Sequence, residues 1–370
     1  MNEPSHVAKR FSRRKLAAFV GIPAVLALAV VVFIFVSGTN VKPHTGSHND
    51  GAQADGTGVP SDGFLPSPSP SASKASPSRS ASSAPTPAPG HGGAAVGGAC
   101  GLPKYPKPGC TGLPAGTALA DVPLNADGDA YIVKTAGAVV DHKHIRGSLL
   151  IWADNVTVKN SQIDGTVDND HDKKYHPYTI TDSTVGLASK CVTSPGLLWA
   201  NYTARRVKVL GHDDGFRVDT PGHVQIYDSY AKLCWNPPAL APPDGSHSGG
   251  IQAECGDGVC YDSVFVHNTI DNRGPNGNSG MTWMSFSGNP ASGWTANDNL
   301  VMGGTYTVIF WWTQGPNYEV HNNRVVKGEW AYGPADARGS CAHQNWSGNT
   351  LVTIDGDYNV TSSAPLACVN

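Results

Sequence analysis

Eight segments of this chain share one shape, and their spacing restricts the fold more than any other feature. Each has short alternating apolar positions, a polar pair, then an apolar or small residue, often before glycine or aspartate. They are NVTVKNSQIDG (Asn155–Gly165), YTITDSTVG (Tyr178–Gly186), YTARRVKVLG (Tyr202–Gly211), HVQIYDSYAK (His223–Lys232), SVFVHNTIDN (Ser263–Asn272), WTANDNLVMG (Trp294–Gly303), YEVHNNRVVKG (Tyr318–Gly328) and HQNWSGNTLV (His343–Val352). The residue after the polar pair gives a marker at Ile163, Val185, Val209, Ala231, Ile270, Val301, Val326 and Leu351, at intervals of 22, 24, 22, 39, 31, 25 and 25 residues. One unit holds too few apolar residues for a core of its own and can bury them only against its neighbours. Strands of period two, broken by Gly, Asn and Asp, predict an all-β parallel solenoid with three short strands and three turns per coil. No stretch carries a 3.6-residue apolar period of helix length. A β-propeller would need about 40–45 residues per repeat, and a β-sandwich gives no reason for a recurring marker.

The stretch GAVVDHKHIRGSLLIWADNVTVKNSQIDG (Gly137–Gly165), with its N-V-T-V-K-N-S-x-I coil, resembles the right-handed parallel β-helix proteins related to pectate lyases. It is most similar to secreted members from high-GC Gram-positive bacteria. The resemblance covers roughly Asp121 to Val360. It implies a right-handed coil but leaves the reaction open, because that superfamily holds lyases, hydrolases and non-catalytic proteins.

Only part of the 370-residue chain can join such a fold. No charged residue occurs from Leu16 to Val36, a run long enough to cross a bilayer as a helix. Lys9, Arg10, Arg13, Arg14 and Lys15 precede it, and the next basic residue is Lys42. The positive-inside rule then places residues 1–15 in the cytoplasm and the rest outside. A cleaved signal peptide, hence a secreted protein, is the alternative. The apolar run exceeds the usual h-region of about 7–15 residues, and no A-x-A-like site follows it. Residues 37–98 include PSPSPSASKASPSRSASSAPTPAPG (Pro66–Gly90), a composition expected to form an extended, disordered spacer. Residues 99–370 remain for the β-helix domain.

All 8 cysteines fall in that domain. An even number outside the membrane reads as disulfides. Proximity in sequence pairs Cys100 with Cys110 and Cys255 with Cys260, leaving Cys191–Cys234 and Cys341–Cys368. No cysteine or histidine spacing suggests zinc. The net charge is −3 with a basic N-terminal end, so the exported part is more acidic than that figure and nothing points to nucleic acid. A monomer is expected.

In a solenoid, equivalent positions of successive coils stack about 4.8 Å apart. DDGFRVD (Asp213–Asp219), SGGIQAE (Ser248–Glu254) and NSGMTWM (Asn278–Met284) align on that basis. Phe216, Ile251 and Met281 then point inward, as do Val218, Ala253 and Trp283. Arg217, Gln252 and Thr282 form one outward row, and Asp219, Glu254 and Met284 the next. The 39-residue interval contains an insertion, LCWNPPALAPPDGSHS (Leu233–Ser248), and the 31-residue interval contains RGPNGNSG (Arg273–Gly280). Long excursions of this kind are more often functional than structural. The expected groove brings His212, Asp213, Asp214, Arg217 and Asp219 beside Asp244, His247, Gln252 and Glu254. Trp235 and Trp311 are candidates for stacking on sugar faces.

Two reactions suit such a groove. A lyase acting on an acidic polysaccharide would neutralise the uronate carboxylate with Arg217 or with Ca²⁺ on Asp/Glu oxygens, and His212 or His247 would remove the adjacent proton. A hydrolase would use two carboxyl groups. DDGFRV resembles the paired aspartates of polygalacturonase-like hydrolases, which implies catalytic roles for Asp213 and Asp214. SHSGGIQ resembles the histidine-glycine motif of their next coil. The chain departs from that pattern: Ser248 separates His247 from Gly249, no later Arg-x-Lys element is present, and Gly249 stands where related helices often carry aspartate. A non-catalytic glycan-binding or spacer module on a membrane stalk is the alternative from a different class.

Overall fold

The computed structural model describes residues 100–126, 128–241, 245–255, 259–274, 292–310 and 318–369. The membrane segment expected over residues 16–36, the spacer expected over residues 37–98, Asp244, the inward Met281 and Trp283, the outward Thr282 and Met284, and Trp311 lie outside those residues.

Three strips of parallel strand recur in a fixed order. The first strip runs from Ala120–Asp121 through Lys143–Ile145, Gln162–Ile163, Thr184–Val185, Lys208–Leu210, Tyr230–Lys232, Thr269–Asn272, Leu300–Gly303 and Arg324–Val326 to Thr350–Ile354. The second includes Ala130–Val133, Ser148–Ile151, Val167–Asp168, Phe216–Asp219, Ile251–Glu254, Tyr306–Ile309 and Gly333–Asp336. Leu197 bridges Val167 to Phe216 and so supplies the second strip's turn of coil there. The third runs from Val139–Asp141 to Gln344–Ser347. Parallel pairing between successive coils rules out the antiparallel blades of a propeller and the paired sheets of a sandwich. Among the described residues the only helical element is the single 3₁₀ turn Ser340–His343.

The marker residues stack in one inward row, Ile145–Ile163–Val185–Val209–Ala231–Ile270–Val301–Val325–Leu351. The row takes Val325, where the sequence marker is Val326. Alternation along each strand buries this row and its equivalents on the other two strips, and together they make one continuous core.

The turn from the third strip to the first is two residues long in every coil from Asn160–Ser161 to Gly348–Asn349. Its first residue has positive φ, for instance 46° at Asn160, 47° at Asp182 and 53° at Asn322. Asn and Asp tolerate this conformation better than most residues. Arg206 (52°) and His267 (56°) also adopt it, each held by a carboxylate. Arg206 donates to both oxygens of Asp182 at 2.6 and 2.7 Å, and His267 Nδ1 meets Asp228 at 2.8 Å.

The second turn residue points inward and builds a buried ladder. Asn268 donates from its backbone N and its Nδ2 to Asn299 Oδ1, both at 3.0 Å. Asn299 does the same to Asn323, and Asn323 to Asn349. Earlier coils place Ser161, Ser183 and Ser229 at this position. The ladder therefore satisfies backbone groups that three-strand coiling leaves unpaired at a buried corner. Asn160 and Asn322, at the first turn position, bond outside the inward row, donating to Asp141 at 3.1 Å and Asn297 at 3.3 Å.

Val360–Pro365 pairs antiparallel with Thr350–Ile354 and covers that strip's edge. Residues 100–118 include a strap across the outer side of the first strip. Tyr105 is buried with Leu300, Met302, Val326 and Val352, the His267 Nε2 donates to the Lys104 carbonyl at 2.8 Å, and the Gly112 N–H donates to the Arg206 carbonyl at 2.8 Å. The four disulfides are the expected pairs, Cys100–Cys110, Cys191–Cys234, Cys255–Cys260 and Cys341–Cys368. They suit an oxidising compartment.

Candidate functional site

Insertions concentrate at the two edges of the second strip. Residues 186–196 and 233–250 lead into it, and residues 169–177 and 255–263 lead out of it. Cys191–Cys234 ties the first two loops together. The 233–250 loop folds back on itself through Ser246 N to Asn236 O at 2.9 Å and Asn236 N to Ser246 Oγ at 2.8 Å. The corner opposite, with its uniform two-residue turns, admits no such variation. Chemistry that differs from coil to coil therefore belongs on the second strip.

The register there is Phe216↔Ile251, Arg217↔Gln252, Val218↔Ala253 and Asp219↔Glu254, as the sequence alignment requires. Phe216, Val218, Ile251 and Ala253 are core residues, which sends Arg217 and Asp219 to the outside. Two coils earlier in the same strip Val167 is inward, as is Leu149 one coil before it, so Asp168 occupies the outward side beside Leu150.

A hairpin grows directly from this position. Asp170–His171 pairs antiparallel with Lys174–Tyr175, and Asn169 fixes its base. The Asn169 Nδ2 donates to the His176 carbonyl at 2.9 Å and the Ala200 carbonyl at 2.7 Å, while its Oδ1 accepts the Trp199 N–H at 2.8 Å. Trp199 is thereby locked beside the hairpin. Its indole stacks on Tyr175 with centroids 6.3 Å apart, its Nε1 donates to Asp168 Oδ1 at 3.1 Å, and the Arg217 guanidinium lies 5.9 Å from its ring centre. The Asp170 N–H donates to the same Asp168 oxygen at 2.9 Å. On the hairpin's other side His171 stacks on Trp152 at 3.9 Å, the rings parallel to within 2°, and Asp154 receives Lys174 and His176, both at 2.6 Å.

The electrostatics follow from that enclosure. Asp168 is 6% exposed. Burial pushes its carboxyl up to about 6 against the pull of its two N–H donors, and the neighbouring Asp170 charge adds to the rise. Burial also raises Tyr175 well above the usual phenol range, helped by Asp219, Asp170 and Asp168 and opposed by Arg217. Asp168, Asp170, Asp219 and Arg217 thus all act on one hydroxyl. The cluster combines a carboxyl that keeps its proton up to about pH 6, a second carboxylate, a guanidinium and a fixed indole.

The residues expected to form the groove divide between two environments. Arg217, Asp219 and Gln252 lie on the outward rows, with Asp219 Oδ1 also accepting the Thr220 N–H at 2.7 Å. Glu254 is opposite Asp219 in register. His212 is fully buried at the corner before the strand. Its Nδ1 donates to the Ser194 carbonyl at 2.8 Å, and burial lowers its pKa, so the ring is held neutral. Asp213 is 7% exposed and raised to about 6 by burial. The Asp214 Oδ1 accepts the Gly249 N–H at 2.6 Å and pins the insertion to the strand start. His247 is exposed. Trp235 packs against Gly245, where a Cβ would lie 2.6 Å from the indole. His212, Asp213 and Asp214 therefore serve the wall beneath the insertion, while Arg217 and Asp219 face the other way, toward the hairpin.

Sequence reading left out Asp168, Tyr175 and Trp199. The available signal was DNDHDKKYH (Asp168–His176), a run of titratable side chains in a chain that is otherwise 15% charged. Among the described residues no group of three or more His, Cys, Asp or Glu side chains is arranged to hold a metal ion. No protein-family model matches the chain, and neither a curated protein nor a solved structure matches it.

Proposed function

We propose that this is an exported, carbohydrate-active right-handed β-helix protein, akin in fold to the pectate lyases. In this reading residues 16–36 anchor it in the membrane and residues 37–98 hold the domain away from the surface. The outer face of the second strip takes an acidic polysaccharide, and the reaction is hydrolysis of a glycosidic bond. The observation that carries this reading is the Trp199 indole, fixed between the Asp168 carboxyl and the Arg217 guanidinium and backed by Tyr175. A flat apolar ring beside a cation and carboxyl groups suits a sugar ring that bears a carboxylate. Hydrolysis is preferred to elimination because this face is lined by carboxyl groups, whereas His212 is buried with Nδ1 committed to a backbone carbonyl and His247 belongs to the 233–250 insertion.

The second reading, a glycan-binding module without catalysis, is favoured by the structural use of Asp214, whose carboxylate is spent on Gly249. The test is a panel of uronate-containing polysaccharides given to the full-length protein in detergent, with Ca²⁺ and with chelator. Reducing ends are read together with the ultraviolet absorbance of unsaturated uronate. Reducing ends alone are expected. Rising absorbance would mean a lyase, and binding without either signal would mean the module.

A further inference from the structure

We propose that Asp168 is the proton donor of this site, protonating the leaving glycosidic oxygen. The assignment rests on the hydrolase reading above and goes beyond it in naming the acid. No motif points to Asp168; its place in the fold does. It sits on the outward side of the second strip, at the root of the Asp170–Tyr175 hairpin. Both of its hydrogen bonds, from the Asp170 N–H and the Trp199 indole N–H, fall on Oδ1. The acid proton therefore resides on Oδ2. The Trp199 indole that would carry the sugar is fixed by the same Oδ1, so substrate platform and acid form one rigid unit with Asn169 behind them.

The step balances without a cofactor. The Asp168 O–H proton passes to the glycosidic oxygen as the bond from C1 to that oxygen breaks, and the bonding pair stays with the oxygen. Water supplies the hydroxyl that joins C1, and its proton passes to the carboxylate of Asp219, an outward residue two coils further along the strip that acts with Asp168 on Tyr175. Exchange with solvent then returns both groups to their starting states. A mostly enclosed carboxyl that retains its proton up to about pH 6 is the kind of group this role requires.

The experiment compares Asp168→Asn with wild type on two substrates. One is the polysaccharide cleaved in the panel. The other is a 4-nitrophenyl glycoside of its repeating unit, whose leaving group departs without protonation. Asp168→Asn should lose roughly 10²–10⁴-fold in kcat on the polymer and stay within about 5-fold on the aryl glycoside. The descending alkaline limb of the kcat–pH profile should vanish with it. Trp199→Phe, which removes the indole donor but keeps a ring, should raise KM more than it lowers kcat. Equal losses for Asp168→Asn on both substrates would make Asp168 only the support of Trp199 and overturn the assignment, as would full polymer activity in that variant. Either result leaves the hydrolase reading standing. Wild-type protein that releases reducing ends from no polymer would overturn the hydrolase reading and the assignment together.

Discussion

Replacing Asn299 with alanine tests whether the buried ladder holds the coils together. Asn299 is fully buried. Its Oδ1 accepts the Asn268 backbone N–H and one Asn268 Nδ2–H, both at 3.0 Å, and its Nδ2 donates to the Phe265 carbonyl at 2.9 Å. The substitution leaves these three groups unsatisfied and also removes the Nδ2 bond to Asn323 Oδ1, which keeps the Asn299 backbone N–H. At about 1–3 kcal/mol each, and with one water filling the vacated volume, the loss should be about 3–4 kcal/mol. Two variants bracket the cause. Asn299→Ser places a hydroxyl where Ser229 already accepts the Val207 N–H at 3.1 Å, and it should recover about half of the loss. Asn322→Gly removes the exposed neighbour at a φ of 53°, which glycine adopts freely, and should stay within about 0.5 kcal/mol of wild type. Urea unfolding is the assay. With a slope of about 3 kcal/mol per molar, Asn299→Ala should lower the midpoint by about 1 M. Because stacked coils interact mainly with nearest neighbours, amide exchange should quicken first around Phe265, Asn268 and Asn299. An alanine variant no weaker than Asn322→Gly, or a serine variant as weak as alanine, would refute the ladder as a stabilising element.

Three further outcomes are expected. The Asp213 carboxyl, raised by burial to about 6, keeps its proton in the folded state between about pH 4 and 6 while the unfolded chain has lost it. Its burial therefore costs nothing at pH 4 and about 3 kcal/mol above pH 6, so Asp213→Asn should match wild type at pH 4 and exceed it at pH 7 in chemical denaturation; an equal difference at both would contradict this. Burial pulls His267 down, but Asp228 and the Lys104 carbonyl raise it overall, so its stabilisation is complete below about pH 6.5 and fades as pH rises through the folded value. Amide exchange at Lys104 and Tyr105, corrected for the intrinsic rate, should then show the strap loosening at alkaline pH, and His267→Gln should abolish that dependence. Removing Cys191–Cys234 by double alanine substitution opens a closure spanning 43 residues, worth about 4 kcal/mol on chain entropy; a thermal midpoint unchanged under non-reducing conditions would show that the two loops are held by other contacts.

The coil order and the register of the second strip were legible because period-two alternation has only two phases, and a slip of one residue would turn Phe216 and Val218 out to solvent. The same logic shows why the marker failed at Val326. Solvent normally tells the two phases apart, but there the outer side is covered as well. Val325 packs in the main core, and Val326 packs under Tyr105 of the strap, so two adjacent valines are both buried and alternation carries no information. The directions of the outward residues were legible on the strands and illegible in the loops for a related reason. Arg217 and Asp219 belong to a repeating strand, so their direction follows from their neighbours. Asp168 and Trp199 are 31 residues apart and meet because Leu197 of the next coil bridges Val167, while the hairpin that leaves at Asn169 lengthens the interval between them. No period encodes that meeting. The displacement of His212, Asp213 and Asp214 into the wall has the opposite origin: their spacing suits catalysis, but the 233–250 insertion covers them, and its backbone takes up Asp214 through Gly249. A solenoid fixes where its strand residues point, and its insertions decide which of them meet solvent.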